Sequence, residues 1–312
     1  MKIIEINNLT KTYNKGKVIA LDNINLAVEE SEIFGLIGPD GAGKTTLFRL
    51  LTTLLTPDKG NAKVLGYDIV EDFEAIRESV GYMPGRFSLY SDLTVKENLQ
   101  FFATLFDTTI EENYHLIKDI YEQIEPFKNR RAGNLSGGMK QKLALSCALI
   151  HKPKLLFLDE PTTGIDPVSR VDLWNMLKKL GREGITIFVS TPYMDEATKC
   201  DRIAFIDNGH ILNIESPENI ITNYKQNLFA VKSEKTYLLL KALEKFPKTI
   251  NSYAFGEYAH VVLNGDENQL KEYLVQNDFK EIDIKKIDPN IEDCFIEEIR
   301  VISQHNRGIN EA

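Results

Sequence analysis

The sequence predicts an α/β fold whose main sheet is largely parallel. Short β-rich runs alternate with helical segments up to about residue 215, an alternation that is typical of such folds. A glycine-rich loop lies between an early strand and the helix that follows it. After about residue 225 the pattern of strands and helices changes, which predicts a small second domain of α+β type.

The predicted strands of the first part are short runs rich in β-branched and aromatic residues, and they comprise Ile33–Ile37, Leu155–Asp159, 185–190 and Arg202–Asp207. Helical segments between them cover residues 43–53 and 167–181. Residues 87–152 interrupt the alternation and predict three helices, at 94–106, 111–124 and 137–150. In the last part we expect a strand at 228–231, two strands around 256–257 and a strand at 282–287, with helices at 236–246 and 267–276.

Composition excludes several classes of protein. Hydrophobic residues make up 43% and charged residues 27%, as in an ordinary globular protein. No apolar run reaches the roughly 18 residues of a membrane-spanning helix. The net charge of −9 lacks the basic footprint of a nucleic-acid binder, so we expect no nucleic-acid partner. The three cysteines are far apart in the sequence, which argues against a disulfide framework or a zinc site.

The loop "GLIGPDGAGKTT" follows the strand at 33–37 and opens a helix. Gly38, Gly43, Lys44 and Thr45 fit the spacing G-x-x-x-x-G-K-[ST], in which backbone N–H groups and a helix N-terminus face phosphate oxygens. The alternative is a glycine-rich turn that matches by chance. The predicted nucleotide-binding residues of this loop are Gly38, Pro39, Asp40, Gly41, Ala42, Gly43, Lys44, Thr45 and Thr46.

Two carboxylates lie at the end of the strand "LLFLD": Asp159 is its last residue, and Glu160 follows directly. In a parallel sheet this end faces bound phosphates. Asp159 and the Thr45 hydroxyl are the predicted ligands of Mg²⁺, and Glu160 is the predicted catalytic residue that polarises the attacking water. The alternative is an ordinary acidic strand end.

A second anion-binding pattern lies at the start of a later helix. Ser136, Gly137 and Gly138 open that helix, and a helix N-terminus attracts anions. One phosphate loop does not need two such sites, so the second is predicted to serve a neighbour's nucleotide. The alternative is a plain helix cap at Ser136. The full segment is Leu135, Ser136, Gly137, Gly138, Met139, Lys140 and Gln141.

Together these three segments resemble the ATP-binding cassette family, the ATPase subunits of ABC transporters, over about residues 2–225. The resemblance implies a P-loop NTPase (RecA-like) core with an antiparallel β edge and a helical subdomain at about 87–152. A small C-terminal α+β domain would follow at 226–312. It also implies ATP and Mg²⁺ as ligands and a head-to-tail dimer, in which each ATP lies between one chain's phosphate loop and the signature segment Leu135–Gln141 of the other.

The resemblance also assigns roles to single residues. Tyr13 matches the aromatic residue that stacks on adenine, with an exposed strand aromatic as the alternative. Gly164 and Asp166 lie in the segment that resembles the family's D-loop, which communicates across the dimer. Two positions depart from the family. Gly85 stands where a glutamine usually contacts the metal and the attacking water, and Pro192 stands where a histidine usually touches the γ-phosphate.

These departures predict a division of labour, because both fall on the site built on this chain's own phosphate loop. The signature segment looks intact and would complete the site of a partner. A second cassette in a heterodimer is therefore favoured over a homodimer. Glu160 is retained, however, and this keeps a slow homodimer open.

The segments "FSLYSDLTVKENL" and "TTGIDPVSR" are most similar to cassettes of bacterial ABC-2-type exporters. This implies an ATP-binding subunit that drives export through separate membrane-spanning permease subunits. It would lie in the cytoplasm, peripheral on the inner face of the cell membrane. Phe87 and Tyr90 are predicted to dock the permease, with an ordinary surface loop as the alternative. The rival functions are an ATP-binding regulatory subunit and a non-transport ABC ATPase with little turnover.

Overall fold

The computed structural model describes the backbone of residues 1–310 and the side chains of residues 1–302. Among these residues, none of the helices has the length and apolar character that a bilayer span requires. Contacts divide the chain into two compact units, one formed by Met1–Pro217 with the helix end from Glu298, the other by Glu218–Glu297. This division lies slightly before the domain boundary expected at 225, and it assigns the final helix to both units.

The strands of the described chain are, in order, β1 (Lys2–Tyr13), β2 (Val18–Glu29), β3 (Ile33–Ile37), β4 (Lys59–Val64), β5 (Tyr67–Asp68), β6 (Val80–Met83), β7 (Leu155–Asp159), β8 (Thr186–Thr191), β9 (Arg202–Asp207), β10 (His210–Glu215), β11 (Asn227–Lys232), β12 (Thr249–Phe255), β13 (Tyr258–Leu263) and β14 (Asp283–Lys286). The α-helices are α1 (Lys44–Leu51), α2 (Phe73–Ser79), α3 (Val95–Leu105), α4 (Ile110–Tyr121), α5 (Gly137–Leu149), α6 (Pro167–Arg182), α7 (Pro217–Thr222), α8 (Thr236–Lys245), α9 (Glu267–Gln276) and α10 (Ile291–Asn310). Short 3-10 turns cover Glu125–Phe127, Ala132–Asn134 and Met194–Lys199.

The first unit contains two sheets. Its main sheet has the strand order β10-β9-β3-β8-β7-β6, in which every neighbouring pair except β10 with β9 is parallel. A second, antiparallel sheet has the order β2-β1-β4-β5. The crossovers between the parallel strands include α6, which connects β7 to β8 as parallel pairing requires. The predicted parallel core and antiparallel edge are both present.

The register of the parallel strands brings their carboxyl ends to one edge. Ile37 at the end of β3 pairs with Thr191 at the end of β8, and Asp159 at the end of β7 pairs with Ser190. The backbone N–H of Gly38 donates to the carbonyl of Thr191 at 3.3 Å. The residues that follow these three strands therefore share one edge of the sheet, where ligands of open α/β sheets bind.

Burial on both faces explains why these strands read as unbroken apolar runs. All residues of β3, β7 and β8 are buried. Phe188 forms the centre of an aromatic cluster, with ring centroids 5.4 Å from Phe34 and 4.8 Å from Phe48. Each such ring contributes roughly 1.5–3 kcal/mol by burial. This packing fixes the strand ends on which the phosphate loop depends.

The three helices predicted within 87–152 are present as α3, α4 and α5. Thr94 forms a capping box with Glu97: its hydroxyl accepts from the Glu97 N–H at 3.2 Å, and the Glu97 carboxylate accepts from the Thr94 N–H at 2.8 Å. Helix α3 therefore begins one residue after the predicted position. Thr109 caps α4 in a similar way. The end of α4 lies three residues before the prediction, since the chain turns into Glu125–Phe127.

The second unit is built from one antiparallel sheet of order β12-β13-β11-β14 and two main helices. Its chain order is strand, helix, strand, strand, helix, strand, which is the ferredoxin-like arrangement. Apolar side chains of α8 and α9 pack on the sheet in one core, which comprises Phe229, Val231, Leu239, Leu243, Phe246, Ala259, Val261, Leu263, Leu270 and Leu274. The α+β character predicted for this part is confirmed.

A buried carboxylate ties the first turn of α10 to the sheet of the second unit. Asp293 is 1% exposed, and its Oδ1 accepts from Tyr253 Oη at 2.8 Å and lies 2.7 Å from His260 Nδ1. Its Oδ2 accepts from the Asn290 N–H at 2.8 Å. Burial opposes ionisation, but the hydrogen bonds from His260, Asn290 and Tyr253 prevail and hold the pKa of Asp293 below its usual value.

Candidate nucleotide site

The loop between β3 and α1 needs glycine at several positions. Gly41 and Gly43 have φ of +81° and +109°, in the region that side chains rarely adopt. A Cβ at Gly38 would lie 2.1 Å from the carbonyl oxygen of Ile206, and one at Gly43 would lie 2.6 Å from that of Ala20. The loop is thus packed against backbone on both sides, and only glycine allows this path.

Lys44 begins helix α1 and is 3% exposed. Its Nζ donates to the carbonyl oxygens of Gly38 and Pro39 at 2.9 Å each, and it lies 3.2 Å from Glu160 Oε1. The ammonium group therefore folds back over the loop, next to the end of β7. A cation held there faces the place where phosphate groups meet the loop N–H groups and the helix N-terminus.

A cavity of about 310 Å³ opens beside this loop. That volume lies within the usual range of ligand pockets. Tyr13 lies at its strand side, where Tyr13 Oη is 3.4 Å from Thr46 Oγ1. Among predicted site residues, the lining comprises Tyr13, Gly41, Gly43, Lys44, Thr45, Thr46 and Glu160. The exposed apolar side chains of Val18 and Ile19 also line it, although nothing in the sequence singled them out.

Four predicted residues of the loop do not line the cavity: Gly38, Pro39, Asp40 and Ala42. Ala42 is 2% exposed, and its carbonyl accepts from the Gly209 N–H at 3.0 Å, so it anchors the loop to the turn between β9 and β10. The Pro39 carbonyl accepts from the Ala42 N–H at 3.2 Å. Asp40 is exposed at the loop tip.

Asp159 and Glu160 have different surroundings. Asp159 is 2% exposed, and its Oδ1 accepts from Ser190 Oγ at 2.6 Å. The Glu160 N–H donates to the Ser190 carbonyl at 3.0 Å, while the Glu160 side chain opens toward the cavity. Glu160 has φ of +52°, a strain of roughly 1–3 kcal/mol that such sites often store. Ser190 thus positions both carboxylates. One signal of this role was present in the sequence, the position of Ser190 near the end of a predicted strand.

The oxygen ligands of this edge fit magnesium. Within the described residues, no group of three or more His, Cys, Asp or Glu could hold a metal ion by itself. Mg²⁺ takes one or two protein oxygens and completes its shell with phosphates and water, so Thr45 and Asp159 match its needs. No side chain from position 85 adds to this set.

Gly85 lies against Asp159. A Cβ at this position would be 3.0 Å from the Asp159 carbonyl oxygen and 3.8 Å from its Oδ2. A longer polar side chain here would reach the Asp159 carboxylate, whereas glycine offers no side-chain donor or acceptor in that space. Pro192 follows Thr191, which pairs with Ile37 at the start of the phosphate loop. Proline offers no side-chain or backbone donor at this place.

The signature segment does not reach the cavity of its own chain. Ser136 caps α5, its Oγ accepting from the Met139 N–H at 3.3 Å, and Gly137 is exposed. A Cβ at Gly137 would lie 3.0 Å from the Gly164 carbonyl oxygen. No residue of Leu135–Gln141 is among those lining the 310 Å³ cavity. Ser136 and Gly137 are exposed beside the predicted D-loop, whereas Leu135 is buried.

The predicted D-loop turns directly into α6. Gly164 has φ of +76°, and Asp166 caps the helix by accepting from the N–H groups of Val168 at 3.1 Å and Ser169 at 3.0 Å. The Ser169 hydroxyl, followed by these N–H groups, lowers the pKa of the Asp166 carboxyl. The N-cap role alone accounts for an aspartate at position 166, whether or not a partner contacts it.

A second cavity, of about 360 Å³, lies in the first unit between β6 and the helices α3 and α5. Its lining is mostly apolar and includes Met83, Leu89 and Phe102, with Arg77 and His151 as polar members. Phe87 and Tyr90 are 36% and 50% exposed, as the sequence predicted. The centroid of the Tyr90 ring lies 4.9 Å from that of Phe101, so helix α3 supports this exposed ring.

Comparison with known proteins adds independent findings. Residues 21–163 match the family model described as ABC transporter. The chain is 37% identical over 299 residues to the probable multidrug ABC transporter ATP-binding protein YbhF of Escherichia coli, covering 95% of this chain and 52% of that protein. It is 36% identical over 224 residues to the Nod factor export ATP-binding protein I of a Rhizobium species, covering 71% of this chain and 73% of that protein. The chain spans about half the length of the first of these relatives.

Among solved structures, the chain resembles the dimeric structure of a post-hydrolysis state of an ATP-binding cassette bound to ADP and Pi. The TM-score is 0.62 at 27% identity, covering 68% of this chain and 98% of that one. The predicted P-loop NTPase fold class is thereby confirmed.

Proposed function

Because this chain belongs to the ABC transporter family of ATP-binding cassettes, we propose that it is the ATP-binding subunit of an exporter. The single observation that carries the proposal is the cavity in which Lys44 at the start of α1 meets Glu160 after β7. This is the arrangement that ATP hydrolysis needs: a cation for the phosphates and a carboxylate for water. The export role is supported by the relatives that are named for multidrug transport and Nod factor export.

ATP enters the cavity with its base beside Tyr13 and its phosphates along the loop. Tyr13 lies at the cavity's strand side with Val18 and Ile19, so the base meets an apolar surface. The loop N–H groups and Lys44 hold the phosphates. The ion pair from Lys44 to Glu160 opens when the phosphates take over the ammonium group.

Thr45 and Asp159 would hold Mg²⁺, which neutralises charge on the phosphates when bound. Glu160 orients the attacking water, and its strained backbone keeps the carboxylate aimed into the cavity. Ser190 holds Asp159 in place through a 2.6 Å hydrogen bond. This site lacks polar side chains at positions 85 and 192 that could contact the metal, the attacking water or the γ-phosphate. Losing one such contact costs roughly 3 kcal/mol of transition-state stabilisation.

The signature segment serves a second cassette. Gly137 is exposed at the N-terminus of α5, and none of Leu135–Gln141 lines the cavity of this chain. The positive end of α5 is therefore available to a phosphate held by another chain. A partner cassette that carries the two missing groups makes one competent site with this signature, so a heterodimer is favoured over a homodimer.

The permease docks on the surface formed by Phe87, Tyr90 and the apolar cavity beside them. Exposed aromatic side chains next to an apolar recess are typical anchors of protein interfaces. The cavity adjoins Pro84, and Gly85 follows it, so a docked helix lies close to the nucleotide edge. Through this contact the chain would reside at the inner face of the cell membrane.

A second candidate function is an ATP-binding regulatory subunit with little turnover. The observation that favours it is the absence of a functional group at Gly85 and Pro192. Hydrolysis of ATP by the purified chain alone, measured beside MgATP binding with Lys44→Ala as control, tests whether this chain's own site turns over. Turnover by the complex with a partner cassette, measured after substitutions in this chain's sites alone, distinguishes the two functions. Lys44-dependent binding supports an ATP-binding subunit of either kind. Turnover that Lys44→Ala abolishes supports the transport ATPase acting as a homodimer, whereas loss of binding in the wild type contradicts both.

A further inference from the structure

One carboxylate outside the phosphate loop joins three segments of the nucleotide edge. Glu196 lies in the turn Met194–Lys199 after β8 and is fully buried, with an exposed fraction of 0%. Its Oε2 accepts from Thr191 Oγ1 at 2.6 Å and from Thr162 Oγ1 at 3.1 Å. Its Oε1 lies 2.9 Å from Arg170 Nε.

The three partners belong to segments that have separate tasks. Thr162 lies two residues after Glu160, in the loop that carries the carboxylate. Thr191 is the last residue of β8 and directly precedes Pro192. Arg170 lies in the first turns of α6, the helix that Asp166 caps. Glu196 is thus the point at which the Glu160 loop, the Pro192 turn and the start of α6 meet.

Arg170 binds the turn through more than one group. Its guanidinium carbon lies 3.9 Å from the centroid of the Tyr193 ring, and its Nη1 lies 3.5 Å from Asp195 Oδ2. Together with the 2.9 Å contact to Glu196, three side chains of one turn converge on this arginine. An arginine can stack and pair at once because its guanidinium is planar, which a lysine cannot do.

The energetics make this link stiff. A buried carboxylate destabilises the fold unless hydrogen-bond donors or cations surround it. Removing one partner is therefore strongly destabilising, even where the intact set of contacts adds little stability. Glu196 has two hydroxyl donors and one guanidinium around it, so displacing any of the three segments removes one partner of a buried charge. The segments are therefore held to move together.

We propose that Glu196 is a positioning residue that couples the Glu160 loop and the Pro192 turn to the start of α6. The inference rests on the proposed ATP-binding function for its purpose, since a partner that contacts Gly164 or Asp166 would thereby act on Glu160. It supplies a route across the site that does not use a histidine at position 192. The turn is anchored to α6 through the contacts of Tyr193, Asp195 and Glu196 with Arg170.

Hydrogen–deuterium exchange of the full chain without nucleotide tests this coupling. Thr162→Val removes one buried hydroxyl and keeps the side-chain shape, and Arg170→Met removes the charge but keeps the stem. Loss of one buried hydrogen bond raises local exchange about fivefold. Each variant is expected to raise exchange in both segments, 161–166 and 193–199. Arg182→Gln, at an exposed position near the other end of α6, is the matched control and should change neither segment.

Two outcomes would overturn the proposal. The first is that Thr162→Val raises exchange only in 161–166, the segment that carries it. The second is that Arg170→Met leaves exchange in 193–199 unchanged, since the arginine would then not hold the turn to α6. MgATP titration of the same proteins tests the proposed function separately: a wild type that binds no ATP contradicts that function, while the exchange result stands by itself.

Discussion

Lys44 and Glu160 form an ion pair across the nucleotide site, with Nζ and Oε1 3.2 Å apart. The two residues are far apart in the sequence and meet because β3 and β7 end at the same edge of the sheet. Lys44 is nearly buried and also donates to two loop carbonyls. The carboxylate that we assign to catalysis therefore competes with the phosphates for the lysine, and this relationship leads to the first prediction.

Glu160→Gln should tighten ATP binding and reduce turnover. The neutral amide no longer forms an ion pair with Lys44, so ATP binding does not have to break that pair. The free energy of binding should become more favourable by about 1 kcal/mol, which lowers Kd about fivefold. Without the carboxylate, any hydrolysis by this site should fall at least about a hundredfold. Isothermal titration with MgATP and a phosphate-release assay measure the two effects. Glu183→Gln, at an exposed position, should leave both unchanged, and a weaker Kd in Glu160→Gln would refute the competition.

Gly85→Gln combined with Pro192→His should increase hydrolysis by this chain's own site. The two changes restore groups next to Asp159 and next to the start of the phosphate loop. The expected gain is at least about tenfold in kcat, because each contact is worth up to roughly 3 kcal/mol. The backbone near position 85 must shift by a few tenths of an ångström to accept glutamine, since a Cβ there would lie 3.0 Å from the Asp159 carbonyl oxygen.

The control for this gain is the same pair of substitutions in a Glu160→Gln background, which should show no turnover. If the double variant binds MgATP normally and hydrolyses no faster than the wild type, the two departures do not explain an impaired site.

Phe87→Asp together with Tyr90→Asp should prevent recruitment to membranes that contain the permease. The substitutions place charge on two exposed aromatic anchors beside the apolar cavity, and charges are depleted from the centres of interfaces. Cosedimentation with such membranes measures the loss, expected to exceed about tenfold. MgATP affinity should stay within about twofold. Tyr67→Asp, at a 42% exposed aromatic residue of β5, is the matched control; equal loss of recruitment there would indicate a nonspecific effect of charge.

Asp293→Asn should destabilise the chain at neutral pH and have less effect in acid. Asp293 has its pKa held below the usual value by His260, Asn290 and Tyr253 against the opposing effect of burial. A carboxyl with a lowered folded-state pKa stabilises the protein fully above its unfolded pKa of about 3.9, and this contribution is lost as pH falls through the folded value. Losing the ionised acceptor should cost about 2 kcal/mol at pH 7.

Urea unfolding of the full chain between neutral pH and about pH 3 measures this effect. The difference in unfolding free energy between wild type and Asp293→Asn should shrink as the pH falls. Asp278→Asn, at an exposed position, should show no such trend. A difference that stays constant with pH would show that the carboxylate's charge is not what stabilises this turn.

Local signals explain the elements that could be predicted from sequence. Strands Ile33–Ile37, Leu155–Asp159 and Arg202–Asp207 and helix Glu267–Gln276 have the predicted bounds. Each has a continuous apolar run or a cap within a few residues, so the information lies in the segment itself. The bounds of the long strands β1 and β2 were not predicted, because register shifts in their pairing interrupt the alternation of buried and exposed residues and β2 exposes the apolar side chains of Val18 and Ile19.

The predicted catalytic residue Glu160, the predicted metal ligand Asp159, the phosphate loop and the signature segment were assigned from the sequence, since these assignments depend on residue types at short, fixed spacing. The family and the fold class followed from those motifs. Contacts between distant residues were decided only by the tertiary structure. The Lys44–Glu160 ion pair, the hold of Ser190 on Asp159 and the junction at Glu196 each join segments from different strands and helices. No pattern along the chain encodes such distances, because they depend on strand order, register and side-chain packing.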